Sequence, residues 1–246
     1  MQLDPRDTTF ITEKLPTVEG WLLDDAAYLT SVLLRLQTQQ KVTGSIFEIG
    51  VFAGKYLSLL YHLSADTRDR VLGLDTFEWY PKAKVETTFS NLFGDIGRLS
   101  LQTQDSTKVT AGDLLPILGA PPRFISVDGA HTSAAVLHDL GLAESLLAKG
   151  GIVAIDDFLN PRAIGVGEGA YRYFLGRDGR GLIPFAYCAN KLFVAAGEDA
   201  ARFSKEIWQF ADKNPKLTMS VEFKRLLSQG RHWVELELLG RPVLVF

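Results

Sequence analysis

The sequence predicts an α/β fold, a doubly wound, mostly parallel sheet with an antiparallel closing hairpin, and three observations carry it. Four short runs (45–49, 70–74, 123–127 and 151–155) are continuously apolar or β-branched rather than alternating, as strands buried on both faces are. Helical periodicity fills the stretches between them, and strands separated by helical crossovers form a parallel sheet. Two further apolar runs, 182–187 and 191–196, are joined only by Cys188, Ala189 and Asn190, which reads as a hairpin.

Asp24 or Asp25 caps a helix reaching about residue 40, with Ala26, Leu29, Val32, Leu33 and Leu36 on one face. A second helix follows Gly54 to about residue 63, and a longer one spans 133–148 and stops at Gly150-Gly151. The region between Asp75 and Arg123 is less regular. It holds a loop with Phe77, Trp79, Tyr80, Lys82 and Lys84, a helix near 85–93 and a weak strand near 99–104. After the hairpin, a helix from about Asp199 to Asp212 carries Phe203, Ile207, Phe210 and Ala211 on one face, and the tail is strand-like over 234–239 and 243–246. With no repeats, low-complexity segments or linkers, the expectation is one domain over 1–246, with a helical extension over 1–42, a core over 43–200 and a C-terminal helix and strands over 201–246.

The chain has 246 residues, 46% hydrophobic and 22% charged, a formal net charge of −3 and one cysteine. That composition excludes disorder, collagen-like repeats and disulfide scaffolds. Cys188 alone cannot form an intrachain bridge. Residues 1–10 carry Asp4, Arg6 and Asp7 and are not a secretory signal, and no apolar run approaches the roughly 18 residues of a membrane span. Lys and Arg are spread along the chain, whereas phosphate binding needs concentrated positive charge. The expectation is a cytoplasmic protein that binds neither nucleic acid nor membrane. The abundant Phe and the strand-like tail ending at Phe246 suit a homo-oligomer.

Glu48-Ile-Gly50-Val-Phe-Ala-Gly54 follows a strand and opens a helix, where a doubly wound sheet binds ligand. Glycines there let the backbone turn sharply and approach a ligand. A dinucleotide fingerprint wants a middle glycine, and Phe52 stands in that place, which disfavours NAD or FAD. Asp75, ending the next strand, suits a carboxylate that accepts hydrogen bonds from ribose hydroxyls. The plainer alternative is a tight turn at Gly50 and Gly54, with Asp75 as a cap. Glu48-x-Gly50-x-x-x-Gly54 and Asp75 resemble the cofactor motifs of class I S-adenosylmethionine-dependent methyltransferases. Asp105-Ser106, after the weak third strand, resembles the pair with which many of them approach the adenine, and Tyr56 departs from the small residue frequent at its position. The resemblance implies a Rossmann-like methyltransferase fold with a cofactor site made by Glu48, Gly50, Gly54, Asp75, Asp105, Ser106 and Asp128.

Two strands then end in acid: Arg123-Phe-Ile-Ser-Val-Asp128-Gly-Ala-His131, and Gly151-Ile-Val-Ala-Ile-Asp156-Asp157-Phe158. If the two strands are parallel neighbours, Asp128, Asp156 and Asp157 emerge at one edge, where they repel unless a cation or protons intervene. Oxygen ligands of this kind suit Mg²⁺ or a similar hard ion. Consecutive residues on a straight strand face opposite ways, so Asp156 and Asp157 share an ion only if the chain turns there. Each acid taken singly also fits a cap or a solvated loop.

The constellation resembles the divalent-metal-dependent O-methyltransferases, in particular the antibiotic-sugar, macrocin O-methyltransferase-like group, over about residues 46–196. This resemblance implies a metal bound by Asp128, Asp156 and Asp157 that chelates neighbouring substrate hydroxyls, with His131 as general base. Other members carry a second Asp where this chain has Ala130, so the base role rests on His131. An imidazole near its ordinary pKa of about 6.5 suits that role, and a structural hydrogen bond is its plainer alternative. His62, His138 and His232 read as helix-surface or tail residues.

The loop 76–84 and the stretch 160–174 are expected to border the acceptor, with Phe77, Trp79 and Tyr80 as an apolar wall or as core beneath a loop, and Trp21 as a lid. The expected activity is S-adenosylmethionine-dependent, Mg²⁺-assisted methylation of a small-molecule hydroxyl, a sugar or other vicinal diol of a natural product. The alternatives are an NAD-dependent oxidoreductase and a non-catalytic cofactor-binding protein.

Overall fold

The computed structural model describes residues 3–176, 181–214 and 217–246; positions 1 and 2 of the expected N-terminal extension lie outside the described residues. Nine strands form one sheet among them: β1 (Ser45–Ile49), β2 (Val71–Asp75), β3 (Leu99–Thr103), β4 (Pro122–Val127), β5 (Ile152–Ile155), β6 (Leu182–Cys188), β7 (Lys191–Ala196), β8 (Glu235–Leu238) and β9 (Arg241–Val245). Their order is β3-β2-β1-β4-β5-β7-β6-β9-β8. β3, β2, β1, β4 and β5 run parallel, β7 is antiparallel to β5 and β6 is antiparallel to β7. β9 joins β6 in parallel and β8 closes the edge antiparallel to β9. The strand order reverses between β1 and β4, so a crevice opens there beyond the carboxyl ends of the strands.

Alternation along the strands feeds two apolar layers. Ile46, Phe124, Ile152 and Phe193 face one way, onto Leu29 and Leu33 of α2 (Asp24–Gln39), Leu57 and Leu60 of α3 (Lys55–Leu63) and Phe203 and Ile207 of α8 (Gly197–Lys213). Phe47, Ile125, Val153 and Ile155 face the other way. They meet Leu114 of α5 (Ala111–Leu118), Val136 and Leu140 of α6 (Ser133–Leu146) and Val166 and Tyr173 of α7 (Ile164–Gly176).

Several boundaries and elements differ from expectation. α4 (Lys82–Phe93) starts three residues early because Pro81, with φ −62°, already sets the helical entry. Asp24 and Asp25 lie in the first turn of α2, where acids favour the helix dipole, and Leu23 occupies the cap. The stretch 160–174, expected as an irregular border of the acceptor, is mostly α7. Gly165, Gly167 and Gly169 conceal the helical pattern, since glycine is a poor helix former, and Gly165 and Gly169 let α7 lie close on the start of α6. α1 (Pro5–Thr9), α5 and α9 (Thr218–Gln229) were not anticipated. The β6–β7 hairpin turns at Ala189 and Asn190, with φ of 46° and 77°, the left-handed pair that a two-residue turn requires.

Two polar anchors tie the first 40 residues to the sheet. Gln37 Nε2 donates to the carbonyls of Arg123 (2.6 Å) and Gly150 (3.0 Å), while the fully buried Arg123 guanidinium reaches Asp69 at 2.8 Å. Nearer the terminus, buried Asp7 accepts from Arg35 Nη2 at 2.7 Å and lies 3.0 Å from His62 Nε2, whose ring stacks on Phe10 at 4.3 Å. His62 is therefore part of a clamp rather than a bare helix-surface residue. Burial alone would raise the Asp7 carboxyl, but Arg35 and then His62 outweigh it and hold the group below its ordinary range.

A carboxyl depressed on folding contributes stability above its unfolded pKa, and that stability is lost as pH falls through the folded value. Thermal stability is therefore expected to decline below about pH 4, and Asp7→Ala, which strands Arg35, to cost about 3 kcal/mol at neutral pH by urea unfolding.

Candidate active site

The site lies where β1, β2, β4 and β5 end. Gly50 N–H donates to the Leu74 carbonyl, Asp128 N–H to Ile49 and Asp156 N–H to Val127, so the loops after the central strands are stitched side by side. Gly50 has φ 84°, and a Cβ there would collide with the Asp128 carbonyl; only glycine lets the first loop pass so near the β4 end. Gly54, with φ 86°, caps α3.

Asp75 ties this loop to the next. Its Oδ2 accepts from the N–H groups of Val51 (2.7 Å) and Phe52 (2.8 Å), and its Oδ1 from Phe77 N–H at 2.6 Å. A carboxylate has about four lone-pair sites, so capacity for hydroxyl donors remains. Glu48, on the strand before the loop, is fully buried, and its Oε2 has no hydrogen-bond partner among the described residues. Burial pushes its carboxyl well up, and the Asp128 charge adds to the shift. Such an orphaned acceptor at a strand end suits a cationic or donor group of a ligand.

The Asp105 carboxylate caps the turn 106–108, accepting from Thr107 N–H (3.0 Å) and hydroxyl (2.7 Å), and Ser106 is buried behind it. This pair stands after β3 on the same sheet edge, separate from the acids of β4 and β5.

Those acids lie together but meet different partners. Asp157 has φ 56°, a left-handed turn that Asp tolerates, so the chain does turn there, as sharing of an ion by adjacent acids requires. Asp128, His131 and Asp157 present ligand atoms all within 4.8 Å of one another. His131 Nε2 lies 3.4 Å from Asp128 Oδ1 and 3.6 Å from Asp157 Oδ2. The Asn160 amide donates to Asp157 Oδ1 at 2.9 Å, and the Asn190 amide makes a close bond to the same oxygen. Asp156 instead pairs with Lys191 Nζ at 2.9 Å.

Desolvation at the foot of the cleft pushes the Asp128 carboxyl up to about 7 against the opposing hydrogen bond from His131. The Asp128 hydrogen bond in turn raises His131 above the usual histidine range. The carboxylates fit a divalent cation, the charge that would relieve their repulsion, with the imidazole beside it.

Lys191, Asn160 and Asn190 were not singled out from sequence. The one signal for Lys191 is that a cation opens an otherwise apolar strand beside an acidic pair. The aromatic residues divide. Phe77 and Tyr80 pack partly on the core, whereas Trp79 is 87% exposed. Trp21 stacks on Phe52 at 5.5 Å, and Phe52 meets Tyr80 at the same distance, forming an aromatic rim over the first loop.

Residues 47–158 match a family model described as a methyltransferase domain. This segment contains the first loop and all three strand-end acids. The matched segment is a methyltransferase domain and the fold is the Rossmann-like one of the methyltransferases, in keeping with the resemblance drawn from the residues. Among solved structures, the chain is similar to apo CalS11, a TDP-rhamnose 3′-O-methyltransferase of calicheamicin biosynthesis. Identity is 21%, covering 78% of this chain and 92% of that one, with a TM-score of 0.55. It is also similar to the O-methyltransferase NovP, at 15% identity over 70% of this chain and 80% of that one, with a TM-score of 0.55. The methyltransferase MycE of mycinamycin biosynthesis, solved with Mg, SAH and mycinamycin VI, is 18% identical over 78% of this chain but only 55% of its own, with a TM-score of 0.54. No curated protein is similar to the chain at the level of sequence. Among the described residues, no helix is long and apolar enough to cross a membrane.

A Cβ on Gly165, at the start of α7, would run into the His131 carbonyl. Gly165→Val should therefore shift the His131 loop, lowering methyl transfer at least about tenfold while S-adenosylhomocysteine affinity by calorimetry stays near wild type.

Proposed function

We propose that the protein methylates a hydroxyl of a small molecule, a sugar or other vicinal diol of a natural product, with a divalent cation held at the ends of β4 and β5. The observation that carries this reading is the convergence of Asp128, His131 and Asp157 within 4.8 Å beside the first loop. Two structural neighbours support it: CalS11, a TDP-rhamnose 3′-O-methyltransferase, and MycE, a methyltransferase solved with Mg and SAH.

When bound, S-adenosylmethionine supplies an electrophilic sulfonium methyl, and the cation neutralises carboxylates and acidifies a coordinated hydroxyl. In the transfer, an O–CH₃ bond forms as the S–CH₃ bond breaks, and the hydroxyl proton must leave. His131 would take that proton, a reading supported by its Nε2 lying near both Asp128 and Asp157. Asp128 and Asp157 would hold the cation, and the Asn160 and Asn190 amides fix the Asp157 carboxylate by occupying its Oδ1. On the cofactor side, Asp75 would accept from the ribose hydroxyls while keeping Val51 and Phe52 in place, and the free Glu48 oxygen would receive the ammonium of the methionine moiety. Gly50 keeps the first loop against Asp128, Gly54 starts α3 beneath it, and Asp105 and Ser106 would approach the adenine. Phe52, where a dinucleotide fingerprint has glycine, weighs against the oxidoreductase reading.

Calorimetry with S-adenosylhomocysteine is expected to show micromolar binding, and Asp75→Ala to weaken it at least about tenfold through the lost charge-assisted hydrogen bonds. Absence of binding, with NAD bound instead, would overturn the reading. His131→Ala should lower turnover of a diol acceptor about 10²-fold or more with cofactor affinity unchanged. Unchanged turnover would remove the base role.

A further inference from the structure

Asp139, within α6, is a fully buried acid with no part in the transfer derived above. Its Oδ1 lies 3.3 Å from His138 Nδ1, while Oδ2 makes no well-aligned hydrogen bond among the described residues. Burying a carboxylate oxygen without a donor is costly, so the groups that surround this one need an explanation. Two loops of the sheet's carboxyl edge meet there. The point where Gly129 would carry a Cβ is 3.1 Å from Asp139 Oδ2 and 3.8 Å from Ser106 Oγ. The loop after β4, which carries Asp128 and His131, therefore passes directly over the Asp139 carboxyl, and the turn 106–108 after β3 brings the Ser106 hydroxyl to the same place. Burial pushes the Asp139 carboxyl above its ordinary range, and the hydrogen bond from Ser106 is the foremost influence opposing that shift. Asp105 is engaged within its own turn, by Thr107 and by Lys108 at 3.4 Å, so Ser106 is the member of the pair that faces inward.

We propose that Asp139 is a positioning residue for cofactor recognition: it accepts the Ser106 hydroxyl from behind and so fixes the Asp105-Ser106 turn where that turn meets the adenine. This inference rests on the proposed S-adenosylmethionine site and deepens it by naming the group that holds its purine end. The support comes from a helix rather than from a loop, which suits a contact that must be held to a fraction of an ångström. Because the same carboxyl lies against Gly129, the purine end of the site and the loop of Asp128 and His131 rest on one buried group.

The test is calorimetry of the full-length protein with S-adenosylhomocysteine and with S-inosylhomocysteine, in which a carbonyl replaces the 6-amino group of the purine. The wild type is expected to prefer the adenine compound at least about tenfold, since a site that accepts from an amino group leaves polar atoms unpaired against a carbonyl. Asp139→Ala and Ser106→Ala should each weaken S-adenosylhomocysteine binding about tenfold and bring the two ligands within about threefold of each other. The combined variant should bind no more weakly than the weaker single variant, the non-additivity of two groups that act through one another. Asp139→Asn, whose amide oxygen still accepts from a hydroxyl, should restore affinity to within about threefold of wild type. Asp75→Ala, at the ribose, should weaken both ligands alike and leave the preference intact. Thermal unfolding reports which variants are folded.

Unchanged S-adenosylhomocysteine affinity in folded Asp139→Ala, or in Ser106→Ala, overturns the assignment. Additive losses, an Asp139→Asn variant as weak as Asp139→Ala, or a preference for adenine that is absent from the wild type or survives both alanine substitutions does the same. Each of these results leaves the cofactor reading standing. Absence of S-adenosylhomocysteine binding by the wild type overturns that reading and this assignment together.

Discussion

Everything at the site depends on one electrostatic constraint: parallel β4 and β5 end side by side, and each ends in carboxylate. Asp128, Asp156 and Asp157 cannot share one sheet edge as bare anions. The structure meets this with the chain's own groups, Lys191 inside, His131 outside and the Asn160 and Asn190 amides between them. The left-handed turn at Asp157 sets its neighbours, His131, Asn160 and Asn190, while Asp156 keeps Lys191. An acid cluster so arranged is a structural junction, and it is where the proposed cation would sit.

The same economy of contact appears on the cofactor side. Asp75 serves as the clamp between the first and second loops before any ligand arrives, accepting three backbone N–H groups, and so presents a preformed carboxylate instead of a mobile one. The sequence alternatives for Asp75, a cap or a ribose acceptor, are therefore compatible. Gly50 has a comparable double role, since its missing Cβ both shapes the turn and admits the Asp128 backbone. Gly165 brings α7 against the carbonyl of His131 by the same close approach. Small residues thus set the separation of the loops on which the chemistry depends.

The remainder of the fold serves to hold these loop ends still. α2 is fastened to the beginnings of β4 and β5 by Gln37 and the buried Arg123, at the sheet edge opposite the acids. The first residues are fastened to α2 and α3 by Asp7, Arg35 and His62. Charged pairs buried in this way contribute less to net stability than an apolar core does, but they are unforgiving of a missing partner and so specify one arrangement.

The sequence by itself determined the parallel core, because strands buried on both faces must be continuously apolar and their helical crossovers must fall between them. It also determined that acids, His131 and a glycine-bounded loop would gather at one sheet edge, since in a parallel sheet every strand end emerges on the same side. It did not reveal α7, whose glycines mask a helix that forms because α6 offers them a close surface, nor the clamp on His62, whose partner lies 55 residues away in sequence. Only the tertiary structure decided which of two adjacent aspartates meets Lys191 and which meets His131. That outcome turns on a backbone dihedral at Asp157 and on a lysine from a strand later in the chain, and pairings between distant residues leave no periodic trace along the sequence.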